Sequence, residues 1–558
     1  MAKIIKDDTY TSDKASFIKK KNELNNLIGQ LDLDRASFIP TWRDVAEHVS
    51  PTRARFFMET NNRGDRRNKK IIDASATFAS KTLAAGMMSG MTSASRPWFR
   101  YTTPDPDLAD YQPVKIWLNT VEQRTRAIFL KSNLYNTLPL CYRDTGNFGT
   151  GPISLEEDFN NVIHTHSFPV GSYYLGKDYL GRINTFAREF RMTVGQIIEK
   201  FCPRDGGKVD LTKVSDHIAQ EYKAGRTETW IYIRHLIRPN PDYNPNMIES
   251  KFKKFSSCYW EMGMTSRGTQ NYLNSGTDIE KFLSEKGYDY FPIMAPRWEV
   301  TGEDVYGTDC PGISATGDIK QLQYGEKKTG QVIDHKVNPA MIAHPNLRSE
   351  KLAQLPGTVT YLDDPSGRGF RPAYEVNLSI QEMEAKQAQV RQRISRHYHE
   401  DLFLQISRMS QSNTTAREID ERHEEKYLIL GPVIQQFDQD LLGPLIDNTF
   451  YIADRQGIFP PAPKELQGQN LKVEYISIMA QAQKALGISS IERFVGFIGS
   501  VAQLDPGVVQ KLNTDQFVDE YADSLGVSPR LVKSDDEVAE IRNQQAQAQQ
   551  AQAAIMNA

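Results

Sequence analysis

Cysteine is scarce in this 558-residue chain and badly placed for chemistry: Cys141, Cys202, Cys258 and Cys310 lie far apart and form no CxxC pair. That spacing argues against a zinc site and a disulfide framework, and suits a reducing cytoplasm. No apolar run reaches the length of a membrane span, and the N-terminus lacks a signal-peptide core. The expectation is a soluble chain made in the cytosol, with no membrane partner. Excess positive charge is missing too. With 67 Lys and Arg against 70 Asp and Glu, the formal net charge is −3, so the chain as a whole has no electrostatic attraction to DNA. Any contact with nucleic acid must be local.

Catalytic signatures are absent as well: no GxSxG elbow, no HExxH and no papain-like cysteine context. Gly325-Glu326-Lys327-Lys328-Thr329-Gly330-Gln331 starts like a phosphate loop, but Gln331 stands where its lysine belongs and no strand precedes it. A polar helix surface is the plainer reading. His164 and His166 alternate on a strand without an acidic third ligand, and His397 and His399 fall on different faces of a helix. Glu156-Glu157-Asp158 has no matching acidic pair for a two-metal site. Arg63-Gly64-Asp65 is a chance tripeptide. The expectation is no catalytic residue, no metal and no cofactor.

What the chain does have is length for two to four domains and a hydrophobic fraction of 39%, ordinary for soluble protein. Residues 12–31 read as a helix with a stripe of Phe17, Leu24, Leu27, Ile28 and Leu31. A basic loop follows, with Arg63, Arg66, Arg67, Lys69 and Lys70; it is either a solvated surface or a contact for phosphate or an acidic partner. Asp73 can cap a small-residue helix through Phe78, Leu83 and Met87, and 113–132 is another helix. Between about 150 and 300 the pattern turns to strands, with a hairpin around Gly176–Gly181 and an antiparallel sheet expected.

Helical periodicity returns over 316–337. A Pro- and Gly-bearing stretch follows, with a short strand at 358–362, and then a helix from Ser379 to Leu404 whose seam is Ile380, Met383, Gln387, Val390 and Ile394. Arg391, Arg393 and Arg396 on that helix can face DNA or pair with carboxylates of a neighbouring subunit. The polar segment Arg408-Met409-Ser410-Gln411-Ser412-Asn413-Thr414 joins it to a long helix that Gly431-Pro432 and Gly443-Pro444 should kink. A Gln/Ala tail at 544–554, after a capping-box pattern at 534–537, is either helical or disordered.

Taken in order, several segments resemble the portal proteins, or head-to-tail connectors, of short-tailed bacteriophages. They are Asp144-Thr145-Gly146-Asn147-Phe148-Gly149-Thr150-Gly151, Phe186-Ala187-Arg188-Glu189-Phe190, Arg297-Trp298-Glu299-Val300, Asp304-Val305-Tyr306-Gly307, Thr415-Ala416-Arg417-Glu418, and Glu424-Glu425-Lys426 through Gly431-Pro432. The likeness runs from about residue 15 to 460. One departure is Thr308-Asp309-Cys310, which intervenes where similar sequences carry a Gly-Pro-Gly-like run.

The resemblance implies an α+β portal fold assembled as a ring, a dodecamer at one capsid vertex. It implies an N-terminal region and wing at 1–312, stem helices at 313–337 and 380–404, and a small β-containing clip at 338–379. A tunnel loop at 405–415, a kinked wing helix with its following segment at 416–480, and a crown with tail at 481–558 complete the layout. Implied partners are double-stranded DNA in the channel, the terminase large subunit, major capsid and scaffolding proteins, and tail adaptor or nozzle proteins. The location would be the virion, after assembly in the host cytoplasm. Such a protein carries out no reaction itself. The alternatives are a DNA-packaging ATPase or nuclease, or a non-portal scaffold or minor capsid protein.

Overall fold

A computed structural model describes residues 4–57, 64, 67–105, 108, 111–205, 208–262, 282–337, 341–342, 371–372, 379–403, 430–466 and 471–475, with further helical positions at 494, 498, 518, 538, 541–545 and 547. It is mixed helix and sheet. The helix expected over 12–31 is longer, α1 (Ile4–Ala36), and buries Phe17, Leu24, Ile28 and Leu31. It is followed by α2 (Ile39–His48), α3 (Ser75–Met91) and β1 (Phe99–Thr102). Asp73 does serve the start of α3, its carboxylate accepting from the Ser75 N–H at 2.7 Å. Phe78 is 62% exposed. The face formed by Ala76, Ala79, Ser80, Leu83 and Met87 packs inward, because small side chains allow neighbouring helices close.

Next come α4 (Gln112–Lys131) and α5 (Leu134–Phe148), then the strand region, within which lie the short helices α6 (Val194–Phe201) and α7 (Asp216–Lys223). Strands β2 (Ile153–Asp158) and β3 (Val162–Ser167) pair antiparallel and are joined by β9 (Ile293–Met294). A five-stranded antiparallel sheet contains β4 (Tyr173–Lys177), β5 (Ile183–Thr193), β6 (Trp230–Pro239), β7 (Phe255–Glu261) and β8 (Ser284–Tyr288), in the order β8-β7-β6-β5-β4. The hairpin read around Gly176–Gly181 joins β4 to β5, and Gly181 takes the positive φ that its turn requires. Helix α1 lies on one face of this sheet, where Leu24, Ile28 and Leu31 meet Ala187, Leu236, Cys258 and Trp260.

Two helices then form a hairpin: α8 (Thr316–Val337), as read from the sequence, and α9 (Ile380–His397). Ser379 caps α9, accepting from the Glu382 N–H at 3.4 Å. Between them Met341–Ile342 pairs antiparallel with Arg371–Pro372; the strand expected at 358–362 lies outside the described residues. Helix α9 does not continue to Leu404. It stops at His397, His399 adopts φ +52°, and helix resumes at 400–403. Of the two positions expected to kink, Gly431-Pro432 lies at the start of the described helix and Gly443-Pro444 follows a π-helical turn, Asp438–Leu442, that leads into α10 (Gly443–Arg455). Pro444 has no N–H to donate back to the preceding turn, and a widened turn accommodates the loss. A last strand, Lys472–Tyr475, pairs with β1. No described helix is long and apolar enough to cross a membrane.

Candidate functional site at the root of the helical hairpin

Three of the segments that carried the sequence resemblance, 144–151, 297–300 and 304–307, meet at one place, where α8 and α9 join the body. Its centre is the end of α5. Gly149 terminates that helix with φ +80°, a left-handed conformation natural to glycine, and its N–H bonds the Thr145 carbonyl at 3.0 Å. The Gly149 carbonyl accepts from the Trp298 N–H at 2.9 Å, and Thr150 bridges Arg297 antiparallel. Gly307 lies directly against Gly149. A Cβ on Gly149 would stand 2.7 Å from the Gly307 carbonyl oxygen, so backbone touches backbone. The Gly307 N–H also donates to the Thr150 hydroxyl at 2.9 Å.

Both hairpin helices are fixed to Asn147. The turn Pro311–Ser314, which leads into α8, places Gly312 against the Asn147 backbone, with no room for a side chain. The departure Thr308-Asp309-Cys310 forms this entrance: Thr308 N–H bonds the Glu299 carbonyl at 2.9 Å, and the Asp309 carboxylate accepts from Cys310 N–H and Ser314 hydroxyl, both at 2.7 Å. At the other root, the fully buried Tyr398 donates its hydroxyl to the Asn147 side-chain oxygen at 3.1 Å. The next residue, His399, stacks over Trp298 with centroids 6.5 Å apart. These tertiary contacts are what turn the chain at the end of α9.

Three further attachments surround the root. Trp42 donates its indole N–H to the Phe148 carbonyl at 2.9 Å and packs edge-on to Tyr306. The Tyr306 hydroxyl accepts from Leu175 N–H at 2.9 Å. Arg297 grips Asp440 of the π-turn with two bonds, Nε to Oδ2 at 3.0 Å and Nη2 to Oδ1 at 3.1 Å. Both side chains are nearly enclosed, so the pair is poorly screened by solvent. Asp144, fully buried, holds Arg53, whose guanidinium also reaches the Ser167 hydroxyl.

The hairpin's internal seam is partly the one expected. Val390 and Ile394 are buried, as is Gln387, which donates to the Thr329 hydroxyl at 2.7 Å. Ile380 and Met383 are only partly buried. The arginines find carboxylates of their own chain: Arg391 bonds Asp73 at 2.8 Å and pairs with Glu326, and Arg393 bonds Asp318 at 2.8 Å. Gln323 also clamps Asp73, accepting from its N–H at 2.9 Å.

The phosphate-loop-like run 325–331 is an uninterrupted part of α8, so its amides are spent inside the helix. His164 and His166 lie exposed on β3, and no group of three His, Cys, Asp or Glu side chains is set for a metal among the described residues. An open cleft of about 440 Å³ flanks the root, lined in part by Trp298, Pro311, Arg396 and His399. Residues 408–414 lie outside the described residues. The joint role of Trp42, Asn147 and Tyr398 was not foreseen. Their sequence separation left no local signal, beyond the glycine-rich spelling of 146–151.

A family model described as bacteriophage head to tail connecting protein matches residues 21–532. The portal protein of Salmonella phage epsilon15 is 42% identical over 539 residues, covering 96% of this chain and 93% of that protein. The probable portal protein of Bordetella phage BPP-1 is 39% identical over 533 residues, covering 95% and 92%. The chain belongs to the family of bacteriophage head-to-tail connecting proteins.

Proposed function

We infer that this chain is a phage portal protein, a structural connector between head and tail with no reaction of its own. The observation that carries the reading is the family match along nearly the whole chain, and the hairpin rooted on the family-like segments supports it. In this reading copies of the chain close into a ring, a dodecamer, at one vertex of the virion capsid. Duplex DNA passes through its channel during packaging and ejection. Residues 313–337 and 380–404 form the stem, 338–379 the clip, 1–312 with 416–480 the wing, and 481–558 the crown and tail.

The antiparallel pairing of 341–342 with 371–372 suits a compact clip at the far end of the hairpin. Residues 405–415 face the channel as a tunnel loop. Polar, nearly uncharged side chains there let DNA slide, because many strong phosphate contacts would hold it. Arg408 is the loop's one candidate for a phosphate contact. The terminase large subunit, capsid and scaffolding proteins, and tail adaptor or nozzle proteins dock on this ring, which assembles in the host cytoplasm.

Electron cryo-microscopy of the purified chain tests the reading. Closed rings near twelvefold, with a hole wide enough for duplex DNA, are expected. Monomers or small compact oligomers that persist across salt and concentration would sink it. ATP hydrolysis by the pure chain, with or without DNA, would instead support a packaging enzyme.

A further inference from the structure

The face of the five-stranded sheet turned away from α1 carries more positive charge than it answers. One row of directly opposed residues crosses the sheet from β4 to β8: Tyr173, Arg188, His235, Tyr259 and Ser284. Lys286 stands two residues along from Ser284 and so shares this face, because side chains alternate along a strand. Helix α6 brings Lys200 to the same row, its Nζ 5.1 Å over the Tyr259 ring and 5.8 Å over Phe201. The Arg188 guanidinium lies 4.2 Å over Phe190 and 5.1 Å over Phe168. The three cations thus arrive from β5, β8 and α6.

Their counter-charge is short. Among the described residues none of Arg188, Lys200 and Lys286 forms an ion pair, and the Arg188 Nε–H is buried with no hydrogen-bond partner. The acidic residues beside them in sequence are engaged elsewhere: Glu189 with Arg234, Glu285 with Lys20, and Glu157 with Arg455. The carboxylate that acts on Lys200 is Glu156 of β2. Burial first, and then the charges of Arg188 and Lys286, outweigh it and hold the Lys200 ammonium below the ordinary lysine range. Behind the cations His235 is enclosed. Its Nε2 meets the Ser257 hydroxyl at 3.0 Å, its ring centroid lies 3.7 Å from that of Tyr259, and its Nδ1 has no partner. Burial, with Arg188 and Lys200 alongside, holds this imidazole well below its usual range, so it adds no charge of its own.

We propose that Arg188, Lys200 and Lys286 form a binding site for one phosphate group. Three cations against Glu156 leave two positive charges unmatched, which is the charge of a hydrogenphosphate dianion; a carboxylate would answer only one of them. A guanidinium fork takes two phosphate oxygens at once, and the two ammonium groups serve as point charges for the others. The cations converge from three elements and do not run in a line, which suits a compact anion better than an extended polyanion. Tyr259 is already stacked by His235 and topped by Lys200, so it offers no platform for a base.

The test titrates inorganic phosphate into the purified full-length chain at neutral pH and constant ionic strength, read by calorimetry. One phosphate per chain is expected. Arg188→Gln/Lys200→Gln should weaken binding about tenfold or more, and Lys286→Gln, at an exposed position, about threefold. Lys200→Arg, which keeps the charge, should stay within about threefold of wild type. The proposal fails if the wild-type chain shows no saturable binding up to about 20 mM phosphate. It fails equally if the Gln variants, folded by thermal melting, bind as wild type does, or if acetate displaces phosphate at equal concentration. A mixed-sequence duplex that displaces the bound phosphate would assign the site to a nucleic-acid backbone, and one that does not would assign it to a free or small-molecule phosphate; either result supports the site. The portal reading is not at stake in this titration, because all three cations come from a single chain and rings and monomers should bind alike.

Discussion

Asp144 is fully buried, and its carboxylate is held by Arg53. Removing one partner of such a pair leaves a charge enclosed without its counter-ion. Asp144→Ala should therefore cost about 3 kcal/mol, measured by urea unfolding; a loss under about 1 kcal/mol would mean the pair is replaceable by solvent. Asp438, in the π-turn, is the opposite case. Burial lifts its carboxyl to about 7, against 3.8 for the free side chain. The folded chain thus binds this proton more tightly than the unfolded chain, so Asp438 stabilises the fold below about pH 4. That contribution is lost as pH rises through about 7. Asp438→Asn should remove this dependence and gain on the order of 1–2 kcal/mol at pH 8 but not at pH 4, after discounting for partial solvent access. Equal effects at both pH values would reject it. At this scale the sequence was legible where chemistry is local, as with the turn residue Gly181 or the capping residue Ser379; Asp73 lies one residue before the N-cap Ala74 and bonds the Ser75 N–H. The sequence was silent on Asp144, because the partner Arg53 lies 91 residues away.

Among the elements, α8 could be read from its period and four strands of the five-stranded sheet from their aromatic and β-branched residues and the turn between β4 and β5, although β4 and β7 are buried almost throughout; β8 carried no such signal. The end of α9 could not be read either, because Tyr398 and His399 are turned by Asn147 and Trp298, which no periodicity reports. Phe78 is left outward because Ala76, Ala79 and Leu83 took the inward face. The α9 seam allows a graded test. Val390→Asp/Ile394→Asp buries two unpaired carboxylates and should cost more than 3 kcal/mol, roughly. Ile380→Asp, at the partly exposed first turn, should cost under about 1 kcal/mol. Comparable losses in denaturant unfolding would show that the seam is not confined to the root half of the helix. On α8, Gly330 has open space where a Cβ would go, so Gly330→Ala should raise helix stability by about 0.5–1 kcal/mol. A fall in melting temperature would show that a neighbouring chain occupies that space.

For the whole molecule, the order of family-like segments was legible, but their convergence was not. Residues 144–151, 297–307 and 398–399 are brought together only by the fold. The tunnel loop offers the test at this scale. Deleting residues 409–413 should leave ring formation intact while impairing DNA packaging or retention; normal packaging by the variant would remove the loop from the channel. The glycine contact at the root has a mechanical consequence. Gly149 and Gly307 touch through main-chain atoms, with no side chain between them to rotate or compress. Both arms of the hairpin are pinned within a few residues of that contact, so a push along their common axis loads them together and does not shear one past the other. The contact therefore makes the root of the hairpin a strut and not a spring: what the two helices carry passes through main chain into α5.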